Sequence, residues 1–171
     1  MKIFLIGMMG AGKSSIGSIL SKSLDWPFFD TDKLIGVNSY IDNHGIKKFR
    51  LEEISRINKI VNNSNNCIIS IGGGAILSDK NRDIIKQHFC IFLTASINNL
   101  INRIKAQNIY RPLIKYSDNG NIDKKYFIQI YKQREEYYLD LADFIIDTDN
   151  RTPLNIAIHI KDKIINHEII N

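Results

Sequence analysis

A short apolar run, Met1 to Met8, passes straight into Gly7-Met8-Met9-Gly10-Ala11-Gly12-Lys13-Ser14, and this join constrains the fold more than any other feature. Glycine at positions 7, 10 and 12 opens backbone torsions that a Cβ would forbid, so successive N–H groups can converge on one anion. Behind the loop, Ser14–Leu24 sets Ile16, Ile19, Leu20 and Leu24 at helical spacing. Its N-terminus adds a partial positive charge. Strand, glycine loop and amphipathic helix in that order match the phosphate-binding loop of nucleotide enzymes. Lys13 is placed to reach the β- and γ-phosphates, and Ser14 to offer its hydroxyl to Mg²⁺.

That opening unit implies a parallel sheet, and the rest of the chain agrees. The apolar runs Ile3–Ile6, Phe28–Phe29, Cys67–Ile71, Cys90–Leu93 and Phe144–Ile146 alternate with longer helical stretches. The expectation is an α/β three-layer sandwich, a five-stranded parallel sheet with helices on both faces, forming one domain over 1–171. Leu51, Ile54, Ile57 and Val61 predict the apolar face of a second helix. Thr152 before Pro153 reads as the N-cap of a last helix reaching about Glu168. Asp32 to Asn66 is longer than one crossover needs, so two helices and a cap over the carboxyl edge of the sheet (about 33–66) are expected. The polar stretch 107–123, with Asn119-Gly120, reads as a mobile lid.

Several function classes fall away. No apolar run approaches the roughly 18 residues needed to span a bilayer, and the opening run does not have the build of a signal peptide, so a cytoplasmic protein with no membrane partner is expected. Cys67 and Cys90 lie in apolar runs and read as buried thiols. The net charge of +5 is dispersed rather than blocked, which points away from nucleic acid and suits an acidic small substrate.

On the acceptor side, Phe29-Asp30-Thr31-Asp32 puts two carboxylates at the end of the second strand. Alternation along an extended chain would turn both the same way. Asp30 suits Mg²⁺ through water, and Asp32 suits an attacking hydroxyl, as orienting acceptor or as base. Helix capping is the competing reading of either residue. Gly72-Gly73-Gly74 after Ile68–Ile71 would let backbone approach a ligand, or simply turn a strand into a helix. Arg134 falls on the apolar face of a helix carrying Phe127, Ile130, Tyr131 and Tyr138, where a guanidinium is costly without a partner, whether anionic ligand or ion pair. Arg50 has Glu53 one turn away as an alternative partner.

The phosphate-binding loop, Asp30-Thr31-Asp32, Phe49-Arg50 with Glu53, Gly72-Gly73-Gly74, Arg111-Pro112-Leu113 and Arg134 follow the order and approximate spacing of the shikimate kinases, and the chain resembles that family over essentially its whole length. The resemblance implies an ATP-dependent kinase, with Mg²⁺, that phosphorylates a hydroxyl of shikimate on the route to chorismate. It implies nucleotide contacts from Gly10, Ala11, Gly12, Lys13, Ser14 and Ser15. Asp30 would serve the metal beside Ser14, and Asp32 the acceptor hydroxyl. Arg50 and Arg134 would meet the acceptor carboxylate, a match guanidinium forks make well. Main-chain substrate contacts would come from Gly72, Gly73 and Gly74. Arg111 would close over the γ-phosphate from the lid, Arg151 would lie on the adenine side, and either Arg103 or Lys105 would fill one further arginine role. Ser70 stands where many phosphate-loop enzymes carry a metal aspartate, as in this family. A monomer is expected. Competing readings are another small-metabolite kinase, acting on gluconate or a nucleoside monophosphate, and a nucleotide-binding regulatory or RNA-associated module without turnover.

Overall fold

The computed structural model describes residues 1–107 and 110–165. In chain order the elements are β1 (Lys2–Ile6), α1 (Lys13–Leu24), β2 (Phe28–Asp30), α2 (Thr31–Ile35), α3 (Val37–Asn63), β3 (Cys67–Ser70), a 3-10 turn (Ala75–Leu77), α4 (Asp79–Ile85), β4 (Phe89–Thr94), α5 (Ile97–Gln107), α6 (Lys124–Leu141), β5 (Phe144–Asp147) and α7 (Pro153–Ile165). The strands form one parallel sheet in the order β2-β3-β1-β4-β5. β1 sits centrally between β3 and β4, so the loop that follows it opens where the connections diverge to opposite sides, the place where such sheets bind ligands.

Alternation along the central strands separates two cores. Ile3, Leu5, Ile68, Ile91 and Leu93 face α1, α5, α7 and the start of α6, while Phe4, Ile6, Ile69, Cys90 and Phe92 face α3, α4 and the end of α6. This is the three-layer arrangement expected. Cys67 and Cys90 are free and buried, and burial pushes the Cys90 thiol far up. Among the described residues no helix is long and apolar enough to cross a membrane.

The insert after β2 differs in detail from expectation. It holds a short α2 and a long α3 that is broken at Gly45 (φ 78°, ψ 163°). The buried seam of α3 is Phe49, Glu53, Ile57 and Ile60, whereas Leu51 is 65% exposed. The face predicted from Leu51, Ile54, Ile57 and Val61 is therefore rotated. Apolar periodicity alone missed it because a carboxylate, Glu53, occupies the seam with its own cationic partner. Thr152 does cap α7, its Oγ1 accepting from the Asn155 N–H at 3.2 Å; the expected extension to Glu168 lies outside the described residues.

Of the polar segment 107–123, residues 108 and 109 lie outside the described residues. Residues 110–123 contain an antiparallel bridge between Tyr116 and Ile122 around the Asn119-Gly120 turn, and Ile114 and Ile122 are buried in the α1-side core.

α1 seats the phosphate loop by lying close on the sheet. Gly17 makes this possible, since a Cβ there would come within 2.3 Å of the Phe28 ring and 3.1 Å of Leu5. Gly17→Val should cost about 2 kcal/mol of stability through overpacking, read as a lowered denaturant midpoint at unchanged slope; an unchanged midpoint would show that α1 can back away freely.

Candidate active site

A crevice of about 750 Å³ opens over the carboxyl ends of β1, β2 and β3. Its floor is the loop between β1 and α1, where Gly7, Gly10 and Gly12 all take positive φ. Gly10, Gly12, Lys13, Ser14 and Ser15 line it, while Ala11 is fully buried beneath, its N–H donating to the Met8 carbonyl at 3.2 Å. Lys13 is only 9% exposed. Its ammonium donates to the carbonyls of Gly7 (2.8 Å) and Met8 (3.1 Å). Burial pulls the Lys13 pKa down to about 8, against the opposing pull of the Asp32 and Asp30 carboxylates.

Asp30 and Asp32 both line the crevice, but simple alternation is not the reason. β2 ends at Asp30, and Asp32 arrives from the first turn of α2. Asp30 combines two jobs: its Oδ1 caps α2 through the Lys33 N–H (3.3 Å), and its Oδ2 accepts from the Ser14 hydroxyl at 2.5 Å. The capping reading and the functional reading are thus both true of one residue. Burial pushes the Asp32 carboxyl up in spite of Lys13 nearby.

Arg50 and Arg134, expected on the acceptor side, both line the same crevice as Lys13. Arg50 bonds Glu53 at 2.7 Å, and burial pushes the Glu53 carboxyl up to about 7 despite that partner. The glycine triplet makes room for these groups. A Cβ on Gly72 would come within 2.6 Å of Asp32 and 2.8 Å of Glu53, and one on Gly74 within 2.5 Å of Arg50. Arg134 is 7% exposed. Its nearest polar neighbours are the Met8 thioether, 3.7 Å from Nη1, and Tyr138. Among the described residues no carboxylate lies within 4.0 Å of it, so the structural ion pair weighed for this residue is not found.

Residues 9–165 match the shikimate kinase family. The chain belongs to that family. It is 34% identical to the shikimate kinase of Wigglesworthia glossinidia brevipalpis, over 99% of this chain and 94% of that one, and 33% identical to that of Marinomonas sp., over 96% and 92%. Among solved structures, the Acinetobacter baumannii shikimate kinase in complex with shikimate superposes with a TM-score of 0.84 at 26% identity, over 98% of this chain and 94% of that one. A deoxyadenosine kinase from M. mycoides shares the fold, with a TM-score of 0.67 at 20% identity.

Within this shikimate kinase fold the remaining expected residues divide. Arg111 lines the crevice from the segment between α5 and α6; its Nη2 donates to Gln107 at 2.6 Å, and its buried Nε has no partner among the described residues. Arg151 sits in the turn between β5 and α7 and is not part of the crevice lining. Arg103 and Lys105, the two candidates for one further role, take different partners. Arg103 donates to Thr148 (2.8 and 2.7 Å) and to the Gly10 carbonyl (3.4 Å), tying the β5–α7 turn to the phosphate loop. Lys105 turns away to Asn121 at 2.9 Å. Sequence reasoning missed Asn38, whose amide donates to the Tyr110 carbonyl at 3.0 Å and joins cap to lid, and the contact of Met8 and Tyr138 with Arg134; no local motif announces either.

For a metal, the Ser14 hydroxyl and the Asp30 carboxylate are paired hard oxygens at the crevice floor. That donor set suits Mg²⁺, which keeps most of its shell as water and phosphate.

Lys13 also sets a proton count. In the free protein it loses its charge as pH rises through about 8, while nucleotide phosphates favour the ammonium form. Nucleotide binding above that pH should therefore take up a proton, and the KM for ATP should climb there. Calorimetry of ATP binding in buffers of different ionisation enthalpy reads this directly; binding with no proton uptake above that pH would show that Lys13 is already charged.

Proposed function

We propose that this chain transfers the γ-phosphoryl group of ATP to a hydroxyl of shikimate, giving shikimate 3-phosphate and ADP, one step on the route to chorismate. The observation that carries this reading is Arg134: a buried guanidinium with no carboxylate within 4.0 Å among the described residues, lining a crevice it shares with Arg50 and Lys13. A buried cation of this kind is stable when a planar anion completes it. A monoanionic cyclic alcohol offers such a carboxylate on one side and hydroxyls on the other.

In this reading Arg50 and Arg134 hold the carboxylate and the main chain of Gly72, Gly73 and Gly74 borders the ring. Asp32 accepts the hydrogen bond of the attacking hydroxyl and orients it. Its carboxyl, raised by burial, is matched to receive the proton as that oxygen bonds the γ-phosphorus and the bond to the β-phosphate oxygen breaks. Gly10, Ala11, Gly12, Lys13, Ser14 and Ser15 bind the triphosphate, and Arg111 neutralises charge on the transferring group. Ser14 and Asp30 would hold Mg²⁺, which would supply further charge neutralisation. Positioning in a crevice shielded by the lid accounts for most of the acceleration and limits transfer to water. Arg151 is assigned to the adenine side, beyond the crevice.

A coupled ADP-release assay should show shikimate-dependent turnover and little with gluconate or nucleoside monophosphates. Asp32→Ala and Arg134→Ala should each lower kcat/KM at least ~100-fold with ATP affinity nearly unchanged, whereas Lys13→Ala should weaken nucleotide binding. Preference for another acceptor would replace shikimate, and equal loss of ATP affinity in all three variants would contradict the division of roles.

A further inference from the structure

Arg134 has a support that belongs to neither substrate. Tyr138 lies one helical turn further along α6, on the same face. It is 1% exposed, its ring stacked on Phe92 at 5.0 Å between centroids. Its hydroxyl donates to the Gly73 carbonyl at 2.5 Å and stands 4.0 Å from the Met8 sulfur, the same atom that contacts Arg134. Met8 belongs to the phosphate loop and Gly73 to the acceptor-side glycines, so one hydroxyl and one thioether connect three parts of the crevice. Neither group is needed for the fold to bury its apolar surface: phenylalanine and leucine would pack as well. We infer that Tyr138, with Met8 as its second contact, is a positioning residue for the acceptor, fixing the Arg134 guanidinium at a set distance from the Gly73 main chain and from the phosphate loop. The neutral hydroxyl donates its proton to Gly73 and so presents lone pairs to the guanidinium, which has no carboxylate within 4.0 Å among the described residues. This rests on Arg134 being the carboxylate ligand proposed above.

The test is steady-state kinetics of the full chain with each substrate varied. Tyr138→Phe keeps the ring and should raise the KM for shikimate about 10-fold, the scale of one lost hydrogen bond to a charged group, with kcat and the KM for ATP within about 2-fold. Because the effect passes through Arg134, adding Tyr138→Phe to Arg134→Lys should worsen the shikimate KM no further. Effects that multiply, KM values that rise together, or a loss confined to thermal stability would overturn the positioning role. If Tyr138→Phe does not fold, Tyr138→Leu, which also lacks the hydroxyl, carries the same test: a higher shikimate KM at constant ATP KM supports it, and unchanged values sink it. Arg134→Lys alone separates the two claims. Should it leave the shikimate KM untouched, the proposed acceptor site falls and takes this inference along; if it raises that KM while Tyr138→Phe does not, only the inference fails.

Discussion

An ammonium ion largely buried at the floor of a crevice is the constraint around which this molecule is arranged. Stripping water from Lys13 costs several kcal/mol, and the two carbonyls it bonds offset only part of that. The lowered pKa is the visible remainder. The carboxylates Asp30 and Asp32 temper it from β2 and α2, and Asp32 is in turn desolvated and answered by Lys13, Arg111 and Arg50. Each charge at the carboxyl edge of the sheet is thus a partial response to another, and the set stays cation-rich until anionic substrates enter. A crevice of this kind holds energy in reserve for binding, at the expense of the empty protein's stability.

The acceptor side repeats the pattern with less solvent. Glu53 keeps a raised pKa although Arg50 is bonded to it, because dehydration of the carboxylate outweighs the pair. Arg50 is thereby tied through Nη1 to Glu53 while it lines the crevice, and Gly72 and Gly74 exist as glycines because Asp32, Glu53 and Arg50 occupy the space their side chains would need.

Much of this is legible in the chain. The five strands and the loop before Lys13 declare themselves because buried parallel strands are short, apolar and punctuated by glycine. The acceptor residues stand out as charges misplaced on apolar stretches. What stays hidden depends on distant partners. The seam of α3 includes Glu53, which any hydrophobic count rejects, and the path of Asp32 depends on where β2 stops and α2 starts. The link from Arg103 to Thr148 spans 45 residues and that from Tyr138 to Gly73 spans 65; no local pattern foretells either, and Arg151, prominent in the sequence, lies outside the crevice.

The break in α3 carries a mechanical consequence. At Gly45 the backbone takes a left-handed extended geometry open in practice to glycine alone, yet nothing lies within 4 Å of where its Cβ would stand. The restriction is one of torsion and not of room. The segment before it, bearing Asn38 at the rim, thus meets the segment after it, which is buried through Phe49, Glu53 and Ile57, at a fixed bend. Tyr40 packs against Phe49 across the break, and Phe49 lies under the Arg50 guanidinium, so the turn made at one glycine brings the rim back onto the wall that carries Arg50.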